Sequence, residues 1–161
     1  MNSEPLAHPD PIADIRRATA DDGPAILRMM EAFNHEELIA FTPDKLAQGL
    51  AALLAQPAYG FVLIAEIGGI PAGYGVLAYS FDIEYGGRDV FLNELFVVPR
   101  HRSRGVGNEL LGAATAAVKA EGCHAMHLIV RPENPGAQRL YRRDGFRFDP
   151  RLFMTKQLGD A

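Results

Sequence analysis

Hydrophobic positions along this chain alternate between two periods, and the switches between them mark out the elements. Ile26, Met29, Met30 and Phe33 recur at helical spacing after Thr19 to Asp22, a helix start signal, with a short strand expected just before it near Asp14 to Ala18. Leu46, Leu50, Leu53 and Leu54 line one side of a second helix over Pro43 to Leu54. The pattern then changes: Phe61 to Ile67 and Ile70 to Phe81 read as strands joined by a hairpin turn at Gly68-Gly69. A turn at Gly86-Gly87 leads to a strand over Asp89 to Val98. Val106, Leu110, Leu111, Ala114 and Val118 form the stripe of a helix over Gly105 to Ala120. His124 to Val130 reads as a strand and Pro135 to Arg143 as a helix, with Asn134 suited to its N-cap, Pro135 to its first turn and Gly145 to the position past its end. A final strand or hairpin is expected over Phe146 to Lys156. The order predicts an α/β (α+β) domain, a curved and largely antiparallel mixed sheet with helices packed on it.

Composition narrows the class. The chain has 161 residues, enough for one domain with a sizeable core. Sixteen basic against twenty acidic side chains leave a net charge of −4, which argues against a general nucleic-acid binder. No apolar run approaches the length of a membrane span. One cysteine, Cys123, rules out an internal disulfide framework and fits a reducing, cytoplasmic setting. Residues 1–13, with Glu4, Pro5, Pro9 and Asp10, read as a flexible leader, and 14–161 as the folded domain.

The candidate chemistry begins in the segment FLNELFVVPRHRSRGVGNELL, residues 91–111. An apolar strand ends at Pro99, a basic loop carries Arg102-Ser103-Arg104-Gly105-Val106-Gly107, and a helix follows at once. Such a loop turns several backbone N–H groups toward one point, and the helix behind it adds unpaired N–H groups and the positive end of its dipole. Glycines let a ligand approach the backbone closely, so the expected tenant is a phosphate or pyrophosphate. A Walker A loop is excluded because Asn108 and Glu109 follow Gly107, and a dinucleotide fingerprint because position 110 is Leu110 rather than glycine.

This block, Arg-x-x-Gly-x-Gly after a strand, resembles the acetyl-CoA-binding signature of the GNAT N-acetyltransferase superfamily. A second signature lies about thirty residues on, where Asn134, Tyr141, Gly145 and Phe146 match the family's Asn, Tyr and Gly-Phe. The order of elements over residues 14–157 is also similar to that fold. The resemblance implies transfer of an acetyl group from acetyl-CoA, a co-substrate, to an amine by direct attack in a ternary complex. Backbone groups of Leu95, Phe96 and Val97 would bond the pantetheine amides where the sheet splays, the side chains mostly serving the core. Arg102, Ser103, Arg104, Gly105, Val106, Gly107 and Asn108 would hold the pyrophosphate, mainly through backbone N–H groups. Asn134 either bonds the pantetheine arm or simply caps its helix.

Tyr141 matches the family's acid. A CoA thiol titrates near the cysteine value of about 8.5 and tyrosine near 10, so the phenol is protonated at neutral pH and can donate to the departing sulfur. Packing on the sheet is its bland role. Glu94 matches an acidic position in many relatives and would take the ammonium proton, through a water or as a substrate anchor; the alternative is a strand-edge charge paired with an arginine. The chain is locally similar to spermidine/spermine acetyltransferases, which carry an acidic residue before this one, but here that position is Asn93. Solvent also suffices as base once a neutral amine is held against so activated a thioester.

No metal site is expected, since His124 and His127 would point to opposite faces of a strand. Gly73-Tyr74-Gly75 has no helix behind it and reads as strand, and Cys123 as a packed side chain. His35, Glu36, Glu37, Asp82, Glu84, Tyr85 and Asp89 lie in the segments that build the acceptor site in this fold. They favour a small cationic amine (a polyamine, an aminoglycoside or a lysine-like group) or are solvated loop charges. A non-catalytic acyl-CoA sensor and a transferase using succinyl-CoA are the competing functions; a tyrosine at 141 favours an enzyme. Homodimers are common in the family, and nothing in the sequence specifies an interface.

Overall fold

A computed structural model describes residues 12–159. The expected leader therefore lies outside the described residues, apart from Ile12 and Ala13. Those two are not loose, because their N–H groups donate to the Glu109 carboxylate at 2.9 and 3.0 Å. The described chain falls into two compact units, one ending at Ile129 and the other beginning at Val130.

The first unit is a five-stranded sheet in the order β1-β2-β3-β4-β5, built from β1 (Asp14–Arg17), β2 (Gly60–Ile67), β3 (Ile70–Asp82), β4 (Gly87–Val97) and β5 (Met126–Leu128). Neighbours run antiparallel except β4 and β5, which are parallel. The helices are α1 (Gly23–Glu37), α2 (Pro43–Ala55) and α3 (Val106–Ala120). The expected mixed α/β architecture is present. The expected start of α1 takes the form of a 3-10 turn over Ala20–Asp22, with Thr19 and Asp22 forming a capping box.

Each sheet face is covered. Ile26, Met29 and Met30 of α1 and Leu50 of α2 meet Val62, Ile64, Tyr74, Val76 and Phe96 in one buried cluster. The stripe Val106, Leu110, Leu111, Ala114 and Val118 is the buried side of α3. Gly73 shows which face α3 takes: a Cβ there would lie 3.2 Å from Leu110 Cδ1, and successive strand residues face opposite ways. So α3 packs on the face turned away from Tyr74, and the missing side chain at Gly73 is what admits it.

The second unit holds α4 (Pro135–Arg143), capped as expected by Asn134, whose side-chain oxygen accepts the Ala137 N–H at 3.1 Å. The expected final strand is not formed: residues 146–159 carry neither helix nor strand. Pro150 cannot donate to a ladder, and the Asp149 carboxylate binds the backbone N–H and guanidinium of Arg151, a local arrangement that competes with strand pairing. β5 is also shorter than the expected His124 to Val130.

Candidate active site

The site begins with an irregularity in β4. Val76 of β3 pairs with Glu94, but the next residue, Leu77, pairs with Leu92, so Asn93 is an extra residue that the ladder skips. Its effect is to reverse the direction of every backbone group beyond it. Before the bulge, the Val90 N–H points to β5 and donates to Ala125. After it, the Val98 N–H points to β3 and donates to Ala72 at 2.9 Å. Because direction alternates along a strand, the N–H and C=O groups of Leu95 and Val97 turn away from β3. β5 pairs with β4 only at Val90, Phe91 and Leu92, so these groups lie where the sheet has opened. The Phe96 side chain is buried while Leu95 and Val97 are half-buried, which agrees with side chains serving the core.

The glycine loop follows directly. A 3-10 turn over Pro99–His101 leads to Arg102, Ser103 has a positive φ of 59°, and Gly105 caps α3 with φ 99°. These left-handed residues fold the chain back onto the start of α3, and only glycine adopts such a conformation at little cost. Arg102, Ser103, Arg104 and Asn108 are exposed, Gly105 and Gly107 half-buried, and Val106 is buried as the first contact of α3 with the core. The field here is positive: burial, then Arg100 and Arg104, hold the His101 imidazole below its ordinary pKa.

Arg102 is engaged by the protein itself. Its Nε donates to the Val97 carbonyl at 2.7 Å, its Nη2 donates to both Glu36 oxygens at 2.9 and 2.8 Å, and its guanidinium carbon lies 5.3 Å from the Phe96 ring centre. Its charge is therefore matched by Glu36 of α1. It straps the loop to β4 and α1, and Arg104 is the second exposed cation of the motif. Of the residues expected around the acceptor, Glu36 is thus an anchor for this strap.

Glu94 lies on the Tyr74 face, the side covered by α1 and α2. Its partner is no arginine but the hydroxyl of Tyr74, which donates to Oε2 at 2.5 Å. Burial raises the carboxyl pKa, and the Tyr74 hydrogen bond opposes that rise. The Tyr74 phenol is held well above its usual range, by burial first and then by the Glu94 charge.

Farther along the same face, Asp89 is 3% exposed and accepts the Ser80 hydroxyl, while His127 Nε2 donates to it at 3.0 Å. The His127 ring lies between those of Tyr85 and Phe91, 5.3 and 5.4 Å from their centres. Asp82, Asp89 and His127 each bring a donor atom within 4.8 Å of the others. His124 is apart from this group and donates to the Tyr85 carbonyl at 2.8 Å. The sequence alone does not disclose the Tyr74 and His127 contacts, because both depend on register between strands; a hydroxyl within the otherwise apolar run from Ala72 to Ala78 is the available signal.

In the second unit, Asn134 caps α4 and the Tyr141 ring meets Phe146 edge-on at 5.8 Å. These two motif residues thus occupy the start and the last turns of one short helix, in keeping with their spacing.

The family profile described as acetyltransferase (GNAT) family matches residues 25–146, most of the chain. The chain belongs to the GNAT acetyltransferase family. Among this acetyltransferase's relatives, the thialysine N-epsilon-acetyltransferase of Mus musculus is 26% identical over 137 residues, covering 80% of each chain. The aminoglycoside N(6')-acetyltransferase type 1 of Salmonella typhimurium is 29% identical over 115 residues, covering 70% of this chain and 78% of that one. An integron cassette protein from the mobile metagenome of Cole Harbour Salt Marsh has a crystal structure that matches with TM-score 0.80 at 28% identity, covering 91% of both chains. As a GNAT enzyme, the protein transfers the acetyl group of acetyl-CoA to an amine.

Proposed function

We propose that the protein is an N-acetyltransferase for a small-molecule cationic amine, acting by direct attack within a ternary complex. The observation that carries this reading is the bulge at Asn93, which turns the Leu95 and Val97 backbone groups out of the β3 ladder just where β5 ends. An extended chain carrying amides, such as pantetheine, can pair with such an edge as a strand would. The loop from Arg102 to Asn108, with the N-terminus of α3 behind it, then receives the pyrophosphate. Asn134 is assigned to capping α4, with a pantetheine contact left to its remaining hydrogen-bonding capacity.

The chemistry assigns each proton a place. Glu94 takes a proton from the acceptor ammonium, directly or through a water. The amine lone pair attacks the thioester carbon, the nitrogen that has become cationic releases a second proton to solvent, and the C–S bond breaks as the tetrahedral intermediate collapses. Tyr141 donates its phenolic proton to the departing thiolate and is reprotonated from solvent. A carboxyl raised by burial is a stronger base than an exposed one, which suits Glu94 to this part.

The acceptor's class is supported by the face on which Glu94 lies. Asp89 and Asp82 follow it along the strands, with the rings of Phe91 and Tyr85 nearby, a lining suited to a cation bearing apolar carbons. Relatives named for thialysine and aminoglycosides, both small amines, point the same way. Among the described residues no helix is long and apolar enough to cross a membrane, and a single cysteine suits a reducing cytoplasm.

The test follows CoA release from acetyl-CoA with a thiol reagent across polyamines, aminoglycosides, amino acids and lysine peptides, with succinyl-CoA as the contrasting donor. Release is expected with acetyl-CoA and a small diamine or amino sugar. Tight acetyl-CoA binding without turnover on any amine would replace this reading with a non-catalytic sensor.

A further inference from the structure

We propose that Tyr74 is the positioning residue of the catalytic base: its hydroxyl holds Glu94 by Oε2 and leaves Oε1 as the oxygen that takes the acceptor's proton. The proposal rests on the reading of Glu94 as the base.

Tyr74 is fully buried among Ile26, Met29, Met30 and Phe96, a setting where phenylalanine would pack as well and carry no polar atom. A buried hydroxyl is unfavourable unless bonded, and the partner that satisfies this one is Glu94, 2.5 Å away. The converse also holds, because a carboxylate withdrawn this far from water needs a donor to stay available as an anion. Among the described residues, Tyr74 is the hydrogen-bond donor to Glu94.

The fold builds this contact from one departure, the bulge in β4. Phe91 pairs with Ala78 on the Tyr74 face, so without the extra residue Asn93 would occupy that face and Glu94 the opposite one. The bulge moves Glu94 round to sit across from Val76, one same-face step from Tyr74. The glycines on either side of Tyr74 remove the side chains that would otherwise face α3. Gly73 thereby admits Leu110 of α3, while Tyr74 is the one side chain of Gly73-Tyr74-Gly75 and is directed to the opposite face, where Glu94 lies.

The titratable group acting on Glu94 is Tyr74. From α1, Glu36 reaches this end of the sheet only in its pair with Arg102, which lies over Phe96. A phenol that donates to the carboxylate favours its ionised form, so removing the hydroxyl must make Glu94 harder to ionise.

The experiment measures kcat/KM against pH for the wild type, Tyr74→Phe and Glu94→Gln with one acceptor, so that the amine's own titration is common to all. The ratio of Tyr74→Phe to wild type should fall to about one-tenth at the acid end and return toward one at alkaline pH, with the KM for acetyl-CoA unchanged. A ratio that is the same at every pH would mean that Tyr74 is merely structural, and the proposal would fall. Wild-type activity in Glu94→Gln would instead overturn the base reading on which it rests. A direct readout separates the two failures: carbon-13 NMR of labelled glutamate, with Glu94→Gln identifying the signal. The Glu94 midpoint should move up in Tyr74→Phe, and an unmoved midpoint would overturn the Tyr74 contact whatever the kinetics show. Should that variant not fold, 3-fluorotyrosine incorporation strengthens the donor and should move the midpoint down; no movement overturns the proposal equally.

Discussion

Gly73→Ala puts a methyl group where β3 and β4 leave no room for one, and Gly75→Ala, two residues along on the same face, puts one where they do. A Cβ at Gly73 would lie 2.5 Å from the Phe96 carbonyl oxygen, 3.3 Å from Val97 Cα and 3.2 Å from Leu110 Cδ1. Two of those atoms are backbone, so the strands themselves must part. At Gly75 the nearest atoms are 3.5 Å away or more, an ordinary contact. Overpacking of the first kind costs about 1–3 kcal/mol. Against it, a glycine to alanine change at a position without positive φ, as at Gly73 and Gly75, stabilises by about 0.4–1 kcal/mol by restricting the unfolded chain. Gly75→Ala should therefore be neutral or slightly stabilising, and Gly73→Ala should be the less stable of the two by about 2 kcal/mol. With a urea slope of about 2 kcal/mol per molar, the midpoints should differ by about 1 M. Melting temperatures should differ by about 4–8 °C for a chain of this size. The parting falls at Phe96 and Val97, so Gly73→Ala should also weaken acetyl-CoA binding in a calorimetric titration while Gly75→Ala leaves it unchanged. Equal stability of the two variants would refute the close approach at Gly73, and with it the placement of α3 against this end of β4.

Other perturbations separate chemistry from scaffold. Tyr141→Phe should lower kcat with little change in acetyl-CoA affinity, since the hydrogen bond it removes is one that strengthens as the thiolate forms; unchanged turnover would remove Tyr141 from the mechanism. Asp22 accepts Arg16 at 2.8 Å through both oxygens and the Thr19 N–H at 2.7 Å, and the Arg16 hydrogen bond, first among the causes, holds its carboxyl well below the usual range. Its stabilisation is present above the unfolded carboxyl value of about 3.9 and is lost as pH falls, so Asp22→Asn should lower the melting temperature at pH 7 and converge with wild type in acid. Glu94 has the opposite sign: its folded pKa is raised, so the wild type loses stability as pH rises through that value. Glu94→Gln should therefore match wild type near pH 4 and melt higher at pH 8, a gap that thermal scans across pH would reveal or exclude.

The elements were legible where one period ran uninterrupted. The stripe from Val106 to Val118 and the paired strands around Gly68-Gly69 are local patterns, and the structure reproduces them to within a residue or so. Local chemistry was legible for the same reason: the glycine loop, the Asn134 cap and the Tyr141 spacing are each contained in a few consecutive residues. The residues around them were not. Arg102 carries the motif's first charge, yet its partner is Glu36, 66 positions away. Asp89 finds His127 across 38 positions because β4 and β5 run parallel in register. A final strand or hairpin was expected over Phe146 to Lys156, but Pro150 and the Asp149–Arg151 contact set the local conformation instead.

The bulge at Asn93 shows why such a site resists reading along the chain. Strand parity assigns Glu94 to one face only if the ladder is regular, and a single skipped residue moves it to the other. Nothing in NEL announces the skip, because asparagine and glutamate both fit an exposed strand edge. The same skip turns the Leu95 and Val97 backbone outward, so the placement of the proposed base and the opening of the proposed cofactor edge share one cause. Deleting Asn93 would separate the two effects of the skip, the side to which residues are assigned and the local twist. Glu94 would then follow Leu92 directly and stay across from Val76, with the Leu95 and Val97 groups still turned from β3. The local twist that the extra residue adds would be lost, so deletion of Asn93 should cost acetyl-CoA affinity while the Tyr74–Glu94 contact persists. A deletion variant that keeps its far-UV circular dichroism and binds acetyl-CoA as tightly as wild type would show that the opening of this edge does not depend on the bulge's twist.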